Sequence, residues 1–476
     1  MANKATKVGV VGIDGANTSI LELLDSKRQM SDLISTIPPY TPPSWTSIIT
    51  GVNPGKHKIF AWRVFDPDMH KTRLLNSHDV GYSRVFELLN LAKIQNIIIN
   101  LPMTYPFTGI KNKQHSIIVS DWAAPKQDIY PSSLFDKYQE FLIDPPHTWR
   151  SYEEITEYVK IIDEFLSLRL DMYYDLLESR NWNFYFIVFS EVDWILHKMP
   201  ELLEHKNVHL VKPILKKIQK FINSIEEYSD IVFIVSDHGF EAKDRVLYIN
   251  EILKNAGFIR PSRVQGKIIS WIKNKIPLKL RKKIKYKLNF QSFLEYESDV
   301  LKSDAFMIDP ESWGVYVQRN IEKIVPLFKN TEGIREVILR EDVYSGNYLK
   351  YAPYLILVPE PGVDYSTEFS GKIFGSVTKG DHELHGVFSV KGQHIKEHID
   401  YPKTPTVYDV TPTILHIFGL PVSNDMDGRV LMEIFEEDSE FAKRKPKYVD
   451  PRYYGKKRED EKLKKAIKNL KFKGKV

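Results

Sequence analysis

The sequence predicts an α/β protein built on a mostly parallel sheet, and three observations carry that expectation. Four short runs are almost continuously apolar: Lys7 to Asp14, Asn96 to Asn100, Phe184 to Phe189 and Ile231 to Ser236. Strands covered on both faces read this way, whereas half-exposed strands alternate. Amphipathic helical patterns such as Phe165–Leu177 and Val211–Ile225 separate the runs, and strand–helix alternation marks a parallel sheet. Asp14 and Asp237-His238 directly follow two of the runs, at the carboxyl ends of strands, where open α/β sheets bind ligands.

Taken in order, the first run reads as a buried strand ending in Asp14. Thr41 precedes two prolines in Pro38-Pro-Tyr-Thr-Pro-Pro-Ser44, so its backbone is expected to be extended. Glu191-Val-Asp-Trp-Ile-Leu-His197 reads as a helix with Asp193 and His197 one turn apart. Past Phe240 the pattern changes. A basic helical stretch runs from Lys267 to Leu288 and a strand-like run from Ser312 to Gln318, an insertion or cap over the sheet. Tyr354–Val358 reads as the strand that returns to the core, His382 as part of a Gly- and His-rich loop, and Tyr408–Leu420 as a helix stopped by Gly419-Leu-Pro421. The expected division is a core of 1–240 and 345–440, an insertion of 241–344, and a basic, partly disordered tail of 441–476.

Composition narrows the chemistry. The 476 residues include no cysteine, which excludes disulfides, thiolate metal sites and a Cys nucleophile. At 27% charged and 42% hydrophobic residues the chain is an ordinary globular protein. No run approaches the roughly 20 apolar residues of a membrane span, and a cytoplasmic location is expected. The net charge of +5 conceals two basic segments. From Lys443 onward there are 15 Lys+Arg against 4 Asp+Glu, and Arg263–Phe290 holds 10 Lys+Arg with no acid, so the remainder is acidic. Solvated charge is the usual meaning of such runs. Trp271–Leu288 also has the mixed apolar and basic character of a segment that lies on an anionic membrane. A peripheral membrane contact is therefore an expectation, and nucleic acid is not an expected partner.

Five segments carry the chemistry: Gly12-Ile13-Asp14-Gly15, Thr41-Pro42-Pro43, Asp193-x-x-x-His197, Asp237-His238-Gly239, and Asp381-His382 followed by Gly386. Each alone has an ordinary structural explanation, such as a helix-surface pair, a turn with an Asp cap or an incidental loop histidine. Together they offer three Asp carboxylates, three imidazoles and one hydroxyl, enough for two divalent ions. His382 and His385 compete for the third imidazole position. Thr41 is a poor nucleophile by itself, but a coordinated divalent ion activates a hydroxyl without a His base.

These residues resemble the alkaline phosphatase superfamily, most closely its type I phosphodiesterase/nucleotide pyrophosphatase branch and the prokaryotic phosphohydrolase/phosphomutase-like proteins. The resemblance covers about 7–240 and 345–435. Its most specific stretch is Thr41-Pro-Pro-Ser-Trp-Thr-Ser-Ile-Ile-Thr-Gly51 followed by Pro54-Gly-Lys-His57; Tyr408-Asp-Val-Thr-Pro-Thr413 and Asp425-Met-Asp-Gly-Arg429 add to it. It implies a three-layer fold and two ions, Zn²⁺ or else Mn²⁺. Asp14, Thr41, Asp237 and His238 would hold one ion, and Asp193, His197 and His382 the other. It prefers His382 to His385 because Gly386 follows four residues later. It implies a Thr41 nucleophile, a covalent phosphothreonine intermediate, and a small-molecule, glycan or lipid phosphate ester as substrate, most simply a diester. Ser44 and Lys58 are the expected substrate contacts; the family often has Gly where Lys58 stands. Trp62 replaces an Asn that binds phosphate in nucleotide pyrophosphatases, which argues against nucleotides. A phosphomonoesterase or phosphomutase is the alternative, and a non-catalytic binder of phosphorylated lipid or polyanion is the rival from another class.

Overall fold

The computed structural model describes residues 6–25, 27–110, 113–146, 154–259 and 301–460. The basic stretch 263–290 and the tail beyond 460 lie outside the described residues. The chain divides into two compact units: Met1–Ile59, Asn76–Glu241 and Gly380–Val476 form the first, and Phe60–Leu75 with Ala242–Lys379 the second.

The first unit opens with β1 (Val8–Ile13), α1 (Thr18–Leu24), β2 (Ser31–Ile34), α2 (Thr41–Thr50) and α3 (Pro54–His57). The hairpin β3 (Arg63–Asp66) and β4 (Lys71–Leu74) belongs to the second unit. Then follow α4 (Val85–Leu91), β5 (Asn96–Ile99), β6 (Ser116–Val119), β7 (Ile129–Tyr130), α5 (Phe135–Tyr138), α6 (Ile155–Glu178), β8 (Phe184–Phe189), α7 (Glu191–Leu196), α8 (Val208–Tyr228) and β9 (Ile231–Val235). The chain passes into the second unit along β10 (Gly239–Tyr248). That unit contains β11 (Ala305–Phe306), β12 (Gly314–Val317), β13 (Ile334–Leu339), β14 (Leu355–Pro359) and β15 (Val363–Ser366). The chain returns along β16 (Phe374–Glu383) to β17 (His385–Gly392), β18 (Val422–Ser423) and β19 (Tyr448–Val449).

The first unit is organised by an eight-stranded sheet in the order β2-β17-β9-β1-β8-β5-β6-β7. β1 pairs in parallel with β8 and β9, and β5 with β8 and β6. β17 is antiparallel to both β9 and β2, and β7 is antiparallel to β6. Helices cover both faces. Val11, Ile13, Ile187 and Phe189 face α1, α6 and α8, while Val8, Val10, Phe186 and Val188 face α2, α4 and the helix Val410–Ile417. This double covering is why the strands read as unbroken apolar runs.

Two expectations are corrected here. Tyr354–Val358 does not return to the core: β14 pairs antiparallel with β12 and β13 inside the second unit. The strand that re-enters the core sheet is β17. The second unit also begins and ends elsewhere than 241–344, because the hairpin at 60–75 and the chain through Lys379 belong to it. Of the basic tail, the described part is anchored: β19 pairs with β18, Arg444 donates to the His416 carbonyl oxygen, and Tyr454 is buried.

Residues far along the chain lock the end of α2. Gly51, at φ +73°, closes the helix, and its carbonyl accepts from the backbone N–H of Asp427 (2.9 Å) and of Gly428 (3.3 Å). The Asp427 carboxylate accepts from Asn53 N–H and Asn53 Nδ2 (2.7 and 2.8 Å) and pairs with Lys56 (2.5 Å).

Candidate metal centre

Five chain segments bring their polar groups together at the carboxyl end of the sheet. Asp14 follows β1 immediately; its backbone N–H donates to Phe189 O (3.0 Å), and its Oδ2 accepts from the Ser190 hydroxyl (3.1 Å). Gly15 turns the chain at φ +72°, and a Cβ there would lie 2.6 Å from the Phe240 ring. Thr41 is the first residue of α2, with Tyr40 as N-cap. The expected extended backbone shifts by one residue, to Tyr40 (ψ 137°). The helix accepts Pro42 and Pro43 because first-turn N–H groups have no intrahelical partner to lose. Asp193 lies in α7 and His197 is its C-cap, one turn on. Asp237 and His238 form the link from β9 to β10. His382 lies near the end of strand β16, not on a loop as expected. One residue separates β16 from β17, and the His385 carbonyl oxygen crowds the start of β10, where a Cβ on Gly239 would lie 2.2 Å from it.

Three overlapping groups have ligand atoms within 4.8 Å of one another: Asp14, Asp237 and His238; Asp193, His238 and His382; His197, Asp381 and His382. His238 Nε2 lies 3.2 Å from Thr41 Oγ1, 3.2 Å from Asp237 Oδ2 and 3.7 Å from Asp14 Oδ1. His197 Nε2 is 3.7 Å from Asp193 Oδ2, and His382 Nε2 is 3.6 Å from Asp193 Oδ1. Two rings are oriented from behind. His238 Nδ1 meets the Gly239 carbonyl (3.1 Å), and His197 Nδ1 meets that of Gly380 (3.1 Å). A carbonyl only accepts, so each Nδ1 carries the proton and each Nε2 lone pair points into the cluster. This is the usual orientation of a metal-bound histidine.

The electrostatics suit cations. Burial, then the neighbouring Asp193, raises the Asp14 pKa to about 7. Burial, then Asp14, holds Asp237 well above the carboxylate range. Burial, then His382, pushes His238 well below the usual imidazole value. Asp14 Oδ1, Asp237 Oδ2 and both His382 ring nitrogens are buried without a hydrogen-bond partner. Orphaned acceptors in a buried carboxylate–imidazole set are costly alone and fit divalent ions bound through O and N.

The two expected substrate contacts are placed differently. Ser44 is fully buried, its hydroxyl shared with Ser35 (2.9 Å) and Thr36 (2.8 Å). Ser35 in turn donates to the Asp237 carbonyl (2.5 Å), so Ser44 braces the site's wall rather than facing substrate. Lys58 caps α3 at φ +77° with its ammonium 3.9 Å from Asp79. His385 is half exposed and paired with Glu383 (2.7 Å), which leaves His382 as the clustered imidazole.

Sequence reasoning did not assign Asp381, although it stands beside His382. Nor did it single out Phe240, whose ring lies 4.9, 5.9 and 5.3 Å from the His197, His238 and His382 rings, or Tyr40, stacked on His382 at 5.7 Å. The only signals available were adjacency to Asp237-His238-Gly239 and to Thr41.

The family model for type I phosphodiesterase/nucleotide pyrophosphatase matches residues 13–388. The chain belongs to that family. Among solved structures, this family member resembles phosphonoacetate hydrolase from Sinorhizobium meliloti 1021, at 14% identity and TM-score 0.55 over 86% of this chain and 94% of the other. It also resembles human ectonucleotide pyrophosphatase/phosphodiesterase 5 (14%, 0.54, 89% and 97%) and the alkaline phosphatase PafA (13%, 0.55, 92% and 100%). All belong to the alkaline phosphatase superfamily, whose members use divalent metal ions, and at these identities the likeness shows a shared fold. A murine relative of the second protein was solved with AMP. Comparison with curated proteins finds no match to the sequence. Among the described residues no helix is long and apolar enough to cross a membrane.

Proposed function

We propose that this type I phosphodiesterase family member is a two-metal hydrolase that cleaves phosphate esters, diesters in the first instance, through a phosphothreonine on Thr41. The observation that carries the reading is the convergence of the Thr41 hydroxyl with buried Asp14, Asp237 and His238, while Asp193, His197 and His382 adjoin them through His238. In this reading Asp14, Thr41, Asp237 and His238 hold one ion and Asp193, His197 and His382 the other, with Asp381 beside the second. Zn²⁺ is favoured over Mn²⁺ as the occupant, both being compatible with a His/Asp set. When bound, the ions supply Lewis acidity and neutralise charge at the attacking and leaving oxygens.

The chain's own groups do the rest. Thr41 sits on the first turn of α2, held there by the Ser44–Tyr40 backbone hydrogen bond (3.0 Å) and by the prolines. Its Oγ1 attacks phosphorus, the P–O bond to one alcohol breaks, and that alcohol leaves with a proton. Water then attacks the same phosphorus, releasing the monoester and restoring the Thr41 hydroxyl. His197 and His238 keep their Nε2 lone pairs aimed inward because their Nδ1 protons are engaged by backbone.

The test is hydrolysis of bis-p-nitrophenyl phosphate beside p-nitrophenyl phosphate, with Zn²⁺ or Mn²⁺, for wild type and Thr41→Ala. Turnover of the diester that depends on Thr41 supports the proposal. A monoester preference makes the protein a phosphatase or mutase. Bound metal with no turnover of either ester favours the non-catalytic binder. For the membrane expectation, failure to co-sediment with anionic vesicles at low salt would exclude the basic segments as an anchor.

A further inference from the structure

Beside α7 lies a cavity of about 10 Å³, lined by Asn100, Trp122, Arg169, Ser190, Glu191 and Trp194 among others. Arg169 stands within α6 and is 1% exposed. Its Nη2 donates to Asn100 Oδ1 (2.6 Å) and its Nη1 to Gln127 Oε1 (3.3 Å), while its Nε–H has no partner. Glu191 Oε2 and Trp194 Nε1–H, also buried, have none either. Three lining residues therefore present two donors and one acceptor that are unmatched. A buried guanidinium N–H and a buried carboxyl oxygen are too costly to leave this way. Water is the one common group that accepts two hydrogen bonds and donates a third, and a cavity of this size holds about one molecule.

We propose that this cavity is the binding site of one ordered water, which accepts from Arg169 Nε–H and Trp194 Nε1–H and donates to Glu191 Oε2. Through that water Arg169 is a positioning residue for the metal centre. Glu191 belongs to α7, which carries Asp193 and ends at His197, and Ser190 before it donates to Asp14. The bridge ties the middle of α6, and through Asn100 the end of β5, to the segment that presents these groups. The positioning role rests on the reading of Asp193, His197 and Asp14 as metal ligands; the water site does not.

Two measurements on the full chain decide it. A high-resolution crystal structure should show one density peak within hydrogen-bond distance of all three atoms, and absence of that peak overturns the water site. Co²⁺ titration, followed by visible absorption, should show affinity falling about 10–100-fold in Arg169→Met, the range seen when groups behind metal ligands are altered. The absorption bands should shift as well. Trp194→Phe keeps both charges and the packing, so it carries the test if Arg169→Met does not fold; its expected loss is smaller, about tenfold or less. Wild-type affinity and bands in either folded variant overturn the positioning role. A wild type that takes up no Co²⁺ overturns the metal reading itself, whatever the density shows.

Discussion

The two halves of the candidate centre are built differently. Asp14, Asp237 and His238 stand directly after two central strands and are 0–1% exposed; Asp193, His197 and His382 stand on a six-residue helix, its cap and the end of β16, and are 5–7% exposed. In the first half the sheet fixes the groups, because β1 and β9 are neighbours in register from Val8 opposite Ile231 to Gly12 opposite Val235. In the second half side-chain packing holds the rings of His197 and His382: Phe240 lies against both and Tyr40 stacks on His382. Backbone hydrogen bonding over-determines a site, whereas side-chain packing leaves it open to adjustment.

Substitutions can sharpen or break this contrast. Thr41→Ala, which removes the proposed nucleophile, should lower diester turnover by at least about 10³-fold and leave the ion assigned to Asp193, His197 and His382 bound by metal analysis. Retained turnover would remove Thr41 from the chemistry. Asp237→Asn should abolish tight binding of one ion, with a loss of roughly 10²-fold or more, and Asp193→Asn should cost the other ion less. Equal losses in a competitive chelator titration would erase the distinction between the halves. Phe240→Leu should weaken the packed half by about tenfold and the strand half, where it touches only the His238 ring among the ligands, by less; a matching loss would show that packing governs both.

The smallest effect concerns the corner after α2. Burial lowers the His57 pKa from 6.5 to about 3. Its Nδ1 accepts from Ile59 N–H (3.1 Å), so Nε2–H donates to Ser47 Oγ (3.0 Å). The unfolded chain takes up a proton here at a pH where the folded chain does not. The stabilisation from His57 is therefore complete above about pH 6.5 and drains away as pH falls toward 3. Between pH 7 and 5 the wild type should lose about 1–2 kcal/mol more than His57→Gln, read from their thermal midpoints. Parallel losses would mean that His57 is not buried as a neutral ring.

The fold class was legible because doubly covered strands leave a strong mark, and β1, β5, β8 and β9 sit within a residue or two of their expected bounds. Tyr354–Val358 misled because an apolar run states that a strand is buried, not which sheet buries it. Among the site groups, each expected ligand type stood in a short local motif and is found in the cluster. Ser44 stands three residues after Thr41, and proximity in sequence does not give the direction of a side chain. Phe240 meets His197 and His382 from 43 and 142 residues away, a span over which no local pattern carries information.

The clamp on Gly51 bears on how the protein is made. Asn53 and Asp427 are 374 residues apart, so at about 5–20 residues per second a ribosome needs roughly 20–75 s to deliver the second after the first. Until then the helix that presents Thr41 lacks its closing contacts. A nascent chain therefore completes this corner only once Gly428 has been added, and products terminated before that residue would emerge without it.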